Sequence, residues 1–203
     1  MRNNKTYNLI LMALFTAVTS VLAGLSVPLP FTPVPISLAT FGVLLCGGIL
    51  GAKYGSFSMI CYVILGAVGL PIFSNYHGGM EKLLGPTGGY IVGYIACAFI
   101  IGLIADYSEK KGLKYSLIYI IIGGILGTLA CYTLGTLYFM LQTKNTLIAA
   151  IGMCVVPFLI GDIVKIAVSS ILILKLRPIR NMYMQKIVSR QSAIPGENTL
   201  GGE

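Results

Sequence analysis

Two ionisable residues, Asp162 and Lys165, lie about midway along an apolar run of roughly 30 residues in the C-terminal part of the chain. Charges inside a segment long enough to cross a bilayer are costly, and by default they mark a function or a structural pair. Three positions apart, they share one helix face. A carboxylate beside an ammonium there offers an acceptor and a donor to a polar ligand. Pro157, just upstream, removes one backbone hydrogen bond and frees the carbonyl of Met153. A kink beside a charge pair suits the wall of a polar cavity. The alternative is that Asp162 and Lys165 only neutralise each other or lock neighbouring helices. Against it, a buried ion pair rarely stabilises a fold more than an apolar pair would. No other intramembrane charge is expected that would need neutralising.

A second group of polar residues falls on the connection Ser74–Tyr90, which holds Asn75, His77, Glu81, Lys82 and a set of glycines that includes Gly78 and Gly79. Long ordered connections often act as lids or binding loops; a flexible linker is the alternative. His77 is the single histidine, with no cysteine beside it, so it reads as a surface residue, and no metal site or cofactor is expected. An enzyme is hard to assemble from this inventory. No GxSxG, HExxH or P-loop occurs, and the acids before the tail are Glu81, Asp106, Glu109 and Asp162. Asp106 and Glu109 are assigned to a cytoplasmic loop. Without an ATP-binding motif the chain cannot drive uphill transport by itself.

The elements that must position these groups are membrane helices. The 203 residues are 56% apolar and 10% charged, with a mean hydropathy of +0.88; soluble domains carry about 25% charged residues. Apolar runs near the length of a bilayer crossing recur along the chain. Helices are predicted at 7–26, 36–51, 55–73, 89–106, 115–141 and 147–176, an all-α integral membrane domain of six spans over residues 1–178. The first is read as an uncleaved span rather than a removed leader, since its apolar stretch has span length and further spans follow. The segment Val27–Pro35 holds four prolines in nine residues and cannot continue a helix. Short polar turns are expected at Gly51–Gly55 and Gln142–Thr146, and a water-facing loop at Asp106–Lys114. Residues 179–203 are expected to form a polar cytoplasmic tail, disordered from Gln191 onward. With the N-terminus inside, eleven basic residues fall on cytoplasmic segments against Lys82 and Lys144 outside. That bias places both termini in the cytoplasm. It accounts for the net charge of +8 without nucleic acid. Small residues recur at four-residue spacing: Gly47, Gly51, Gly55, and then Gly123, Gly127, Cys131, Gly135. On helices these are packing stripes. The five cysteines, each in an apolar run without a CxxC pair, read as packing residues.

Four stretches together resemble the BioY family, the biotin-specific substrate-binding (S) components of energy-coupling factor (ECF) transporters. They are Leu11–Ala17, Val27–Leu38, Gly85–Tyr90 and Gly161–Lys165, and the resemblance spans about residues 7–178. It departs at Ala39, where many relatives carry Gln. The resemblance implies a six-helix protein of the cell membrane that captures biotin from outside with high affinity. It would deliver the vitamin inward with a membrane scaffold subunit and two cytoplasmic ATPases. It also implies that Ala13 and Ala17, on the first helix, meet the scaffold subunit. Under this reading Asp162 and Asn75 accept from the ureido N–H groups, and Lys165 donates to the ureido oxygen. Phe31 and Tyr90 cover the ring and chain, while the Gly78 and Gly79 amides or Lys82 meet the carboxylate. An S component for another vitamin, and a structural membrane protein with a helix-locking Asp/Lys pair, remain open on the residues alone.

Overall fold

The computed structural model describes residues 2–112 and 116–192. Lys114 of the expected loop and residues 193–203 of the expected tail lie outside them. The first helix, α1, runs Arg2–Gly24 and stops where the proline-rich segment begins. That segment is a two-stranded antiparallel hairpin, β1 (Ser26–Leu29) and β2 (Thr32–Ser37). Ser26 faces Ser37 and Leu29 faces Thr32, with an irregularity between Val27 and Leu29, at Pro28. Proline holds φ near the extended region but donates no hydrogen bond, so a narrow ribbon whose strands each keep a free edge accommodates it. The composition ruled out a helix here; the hairpin itself was not foreseen.

A helical segment follows, α2 (Ala39–Ala67), broken at Gly51, whose backbone is at φ 82°, ψ 175°. A Cβ placed on Gly55 would lie 2.8 Å from the Gly47 Cα. In a straight helix two residues eight apart are separated by about 12 Å, so the chain reverses at Gly51 and the limbs 39–50 and 52–67 run back to back. The two predicted helices are present, but their polar turn contracts to one glycine. The Gly47/Gly51/Gly55 stripe is therefore a hairpin contact and not one helix face. The second limb ends at Ala67 rather than residue 73, because Gly69 takes φ 112° and Pro71 follows.

After an irregular stretch, α3 (Met80–Leu84) leads into α4 (Gly88–Lys110) and α5 (Ser116–Thr143). The α4–α5 contact is the most extensive between helices, and the predicted small-residue stripe of α5 makes it. A Cβ on Gly127 would come within 2.9 Å of the Cys97 carbonyl oxygen, and one on Gly135 would enter the Tyr90 ring. The predicted last helix is divided. α6 (Leu147–Cys154) stops, a short 3-10 turn spans Val156–Phe158, and α7 runs Leu159–Ser192. Pro157 thus breaks the helix rather than bending it. Pro178 is carried inside α7, which continues past the expected boundary at 178.

Five helices among the described residues are long and apolar enough to cross a membrane, with α2 counted once and α6–α7 joined. Because α2 folds back on itself, these make six crossing segments of a multi-pass membrane protein. At the end where α2 reverses, α4 extends to Lys110, so Asp106 and Glu109 are helical residues and not loop residues. Arg177, only 7% exposed, contacts Asp106 at 2.5 Å and Glu109 at 2.7 Å. Arg177 is thus a further buried charge, paired with carboxylates that are themselves 35% and 47% exposed.

Candidate ligand-binding site

Asp162 sits in the first turn of α7. The break at Pro157 creates that helix N-terminus within the membrane segment, where the partial positive charge of the helix end favours a carboxylate. Its side chain points into a cavity between the hairpin, α2, α4, α5 and the α6–α7 break. Asp162 and Lys165 are 6% and 9% exposed, with Lys165 Nζ 2.8 Å from Asp162 Oδ1. Lys165 also donates to the Ser37 carbonyl at 2.7 Å and to Thr40 Oγ1 at 3.0 Å. An ammonium has three N–H donors, so all of them are engaged. Thr40 donates to Asp162 Oδ1 at 3.4 Å, and the Tyr132 hydroxyl donates to Oδ2. A carboxylate offers about four acceptor positions. Three are taken, and the remaining one lies on Oδ2.

Above this polar floor the walls are largely apolar and aromatic: Tyr90, Ile91, Tyr94 and Phe158, with Val34 and Pro35 from the hairpin. Ser74, Lys82 and Thr87 stand at the rim. Few precise polar groups under an apolar, aromatic wall is the usual composition of a small-molecule site. The cavity volume is about 50 Å³, room for a few water molecules.

Of the residues singled out from the sequence, Asp162, Lys165, Tyr90 and Lys82 line the cavity together. The Tyr90 hydroxyl is 3.0 Å from Thr136 Oγ1 and donates to the Cys154 carbonyl at 3.5 Å. Its oxygen therefore ties α4 to α5 and α6 while its ring faces the cavity. Four residues are not brought into the wall. Phe31 is 58% exposed at the hairpin tip. Gly78 packs against the Leu70 carbonyl, and the Gly79 N–H is already bonded to the Gly66 carbonyl at 2.7 Å. Asn75, at φ 59°, accepts from Ser26 Oγ at 2.8 Å through Oδ1, and its backbone N–H donates back at 2.7 Å. It clasps the Ser74–Tyr76 turn to β1. Ala13 and Ala17 are exposed on α1, beside an apolar groove shared with Cys61, Leu65 and Ile72. Ser37, Thr40 and Tyr132 complete the polar floor, and sequence reasoning did not find them. Cys131 and Cys154, expected only to pack, also contribute to the lining.

The model of the BioY family matches residues 1–182. The biotin transporter BioY of Thermotoga maritima is 39% identical over 169 residues, 83% of this chain and 95% of that protein. A biotin transporter BioY of Lactococcus lactis is 30% identical, covering 86% of this chain and 93% of its own length. Among solved structures, the S component for biotin from an ECF-type ABC transporter superposes with a TM-score of 0.78. It is 28% identical and covers 88% of this chain and 94% of that one. Sequence and fold agree over nearly the whole described length: the chain belongs to the BioY family of transport proteins.

Proposed function

We propose that this chain captures biotin at the outer face of the cell membrane and delivers it inward as the S component of an ECF-type transporter. The observation that carries the reading is the Asp162–Lys165 pair, buried yet opening on a cavity in a BioY-family chain. Biotin presents a ureido group, with two N–H donors and one carbonyl, on a fused ring whose apolar chain ends in a carboxylate. One ureido N–H takes the remaining acceptor position on Asp162 Oδ2. The ureido oxygen takes a Lys165 N–H in exchange for the Ser37 carbonyl or Thr40. Tyr90, Tyr94, Ile91 and Phe158 cover the ring and chain, and Lys82 at the rim meets the carboxylate.

Val34 and Pro35 of the hairpin and Ser74 of the turn form part of the cavity wall, and entry of a bicyclic ligand moves that part of the wall outward. The hairpin and the Ser74–Tyr76 turn are the parts joined to it by few bonds. Their separation breaks the Ser26–Asn75 clasp and releases the Asn75 amide oxygen as acceptor for the second ureido N–H. With both termini in the cytoplasm, as the basic-residue bias supports, the hairpin end faces outward. Energy for uphill uptake comes from a scaffold subunit docked on the Ala13/Ala17 groove and two cytoplasmic ATPases.

The test is thermal unfolding of the detergent-solubilised protein with biotin, and with thiamine and riboflavin as controls. A ligand that binds only the folded form raises stability by mass action. The expected result is a rise with biotin alone. A rise with a control vitamin replaces the substrate, and no rise with any of them from a folded sample overturns the reading.

A further inference from the structure

Tyr132 belongs to the middle of α5, a helix whose buried stripe consists of small packing residues, and nothing in its apolar surroundings marks it out. Its hydroxyl nevertheless donates to Asp162 Oδ2, whereas Lys165 and Thr40 both act on Oδ1. The terminal torsion of an aspartate is soft and broadly populated. Contacts on one oxygen leave the carboxylate plane free to turn about that anchor; a donor on the other oxygen, from a different helix, fixes it. Among the described residues, Tyr132 is the one protein donor on Oδ2.

The ring has a second neighbour. Besides the site cavity, Tyr132 borders an apolar cleft between α5 and α6 with Leu129, Leu147, Ile151 and Val155. The ring is the partition between the two spaces, and the hydroxyl is the part that reaches the acid. Packing and donation are therefore separable by removing one oxygen atom.

We infer that Tyr132 is a positioning residue of the biotin site: it orients the Asp162 carboxylate so that a single acceptor position on Oδ2 faces the ligand. This rests on the biotin reading above. With the hydroxyl present, the acid accepts one N–H from one direction. Without it, Oδ2 regains an acceptor position and the plane loses its second anchor, so the advantage of a ligand carrying a correctly directed N–H shrinks.

The experiment measures dissociation constants of the parent and Tyr132→Phe proteins for biotin and for two analogues, each methylated at one ureido nitrogen. Biotin should bind Tyr132→Phe about ten-fold more weakly, because a misdirected Asp162 forfeits most of the ligand N–H bond to a charged group. The analogue that has lost the Asp162-directed N–H should bind both proteins within about two-fold. Equal losses for biotin and both analogues would show a merely structural role and overturn the proposal, as would parent-like biotin binding by the variant. Should Tyr132→Phe fail to fold, 3-fluorotyrosine at position 132 supplies a stronger donor of nearly the same shape. It should tighten biotin binding and leave that analogue unchanged, and no change for biotin overturns the proposal. Failure of the parent to bind biotin, or intact binding by Asp162→Asn, instead removes the underlying site assignment.

Discussion

Two ionic clusters stand at opposite ends of the same bundle, one buried on both sides of its pair and one with a buried arginine and partly exposed carboxylates, and they are built on different partners. At the Gly51 end, Arg177 donates to the Gly48 carbonyl at 2.6 Å as well as to Asp106 and Glu109. Asp106 in turn accepts from the Ala52 N–H at 2.9 Å, and Arg180 donates to the Ile49 carbonyl. The backbone groups in this list are those left without intrahelical partners where one limb of α2 ends and the next begins. The cluster caps both limbs at their reversal. At the hairpin end, Asp162 and Lys165 bond mainly to side chains on a cavity wall, and one acceptor position on Asp162 is left over. Burial and pairing alone therefore do not distinguish a binding site from a structural clamp. The distinction lies in whether the partners can be exchanged for groups of a ligand.

The largest effect expected from this contrast is on stability, at the clamp. Arg177→Met leaves the buried Gly48 carbonyl without this donor and Asp106 with the Ala52 N–H. The unsatisfied carbonyl costs about 1–3 kcal/mol, and each lost pair to a partly exposed carboxylate adds up to about 1 kcal/mol. Thermal denaturation should show the loss, while the fraction that remains folded binds biotin within about two-fold of the parent, well under one hydrogen bond. A large loss of affinity in the folded fraction would erase the division of labour. The converse substitutions come next. Asp162→Asn and Lys165→Ala should weaken biotin binding by tens-fold, since a hydrogen bond to a charged group is worth about 1.5–3 kcal/mol. Calorimetric titration measures this directly, and parent-like affinity in both variants would sink the site.

The two clusters also differ in how far the sequence betrayed them. Asp162 and Lys165 stood out because charges inside an apolar run have few ordinary explanations. Arg177, Asp106 and Glu109 lie near helix ends, where basic and acidic residues read equally well as topology signals. Their pairing depends on α4 and α7 running longer than their apolar runs, and on a reversal at Gly51 that spacing by four could not reveal. Six crossing segments and the α5 packing stripe were legible because hydropathy and small-residue periodicity report on them directly. The proline segment excluded a helix without specifying a hairpin. Thr40, Ser37 and Tyr132 were illegible for a different reason. A lone hydroxyl or a backbone carbonyl costs a membrane helix little, so only the rotation of α2 and α5 against α7 gives it a role.

Gly51 sharpens the same contrast at smaller scale. An alanine there must hold φ near 82°, and its Cβ would lie 2.5 Å from Asp106 Oδ1. Positive φ with an extended ψ is a region essentially confined to glycine, and it costs another residue on the order of 1–3 kcal/mol. Gly51→Ala should therefore lower the denaturation midpoint and leave the biotin dissociation constant unchanged. A selective loss of affinity would mean that the clamp and the cavity are mechanically coupled.

The smallest effect concerns the Ser26–Asn75 clasp, and it appears in rates. Ser26→Ala removes the hydroxyl that both donates to the Asn75 side chain and accepts from its backbone N–H. Two neutral hydrogen bonds are lost, together about 1–2 kcal/mol, so the wall should open more readily, and stopped-flow association with biotin should quicken at least about five-fold. Asn75→Ala breaks the side-chain half of the clasp as well, but it also deletes the oxygen proposed to receive the second ureido N–H. Its complex should dissociate faster, whereas that of Ser26→Ala should not. If the two variants show the same dissociation rate, Asn75 serves only to hold the turn against the hairpin, and Asp162 alone receives the ureido N–H.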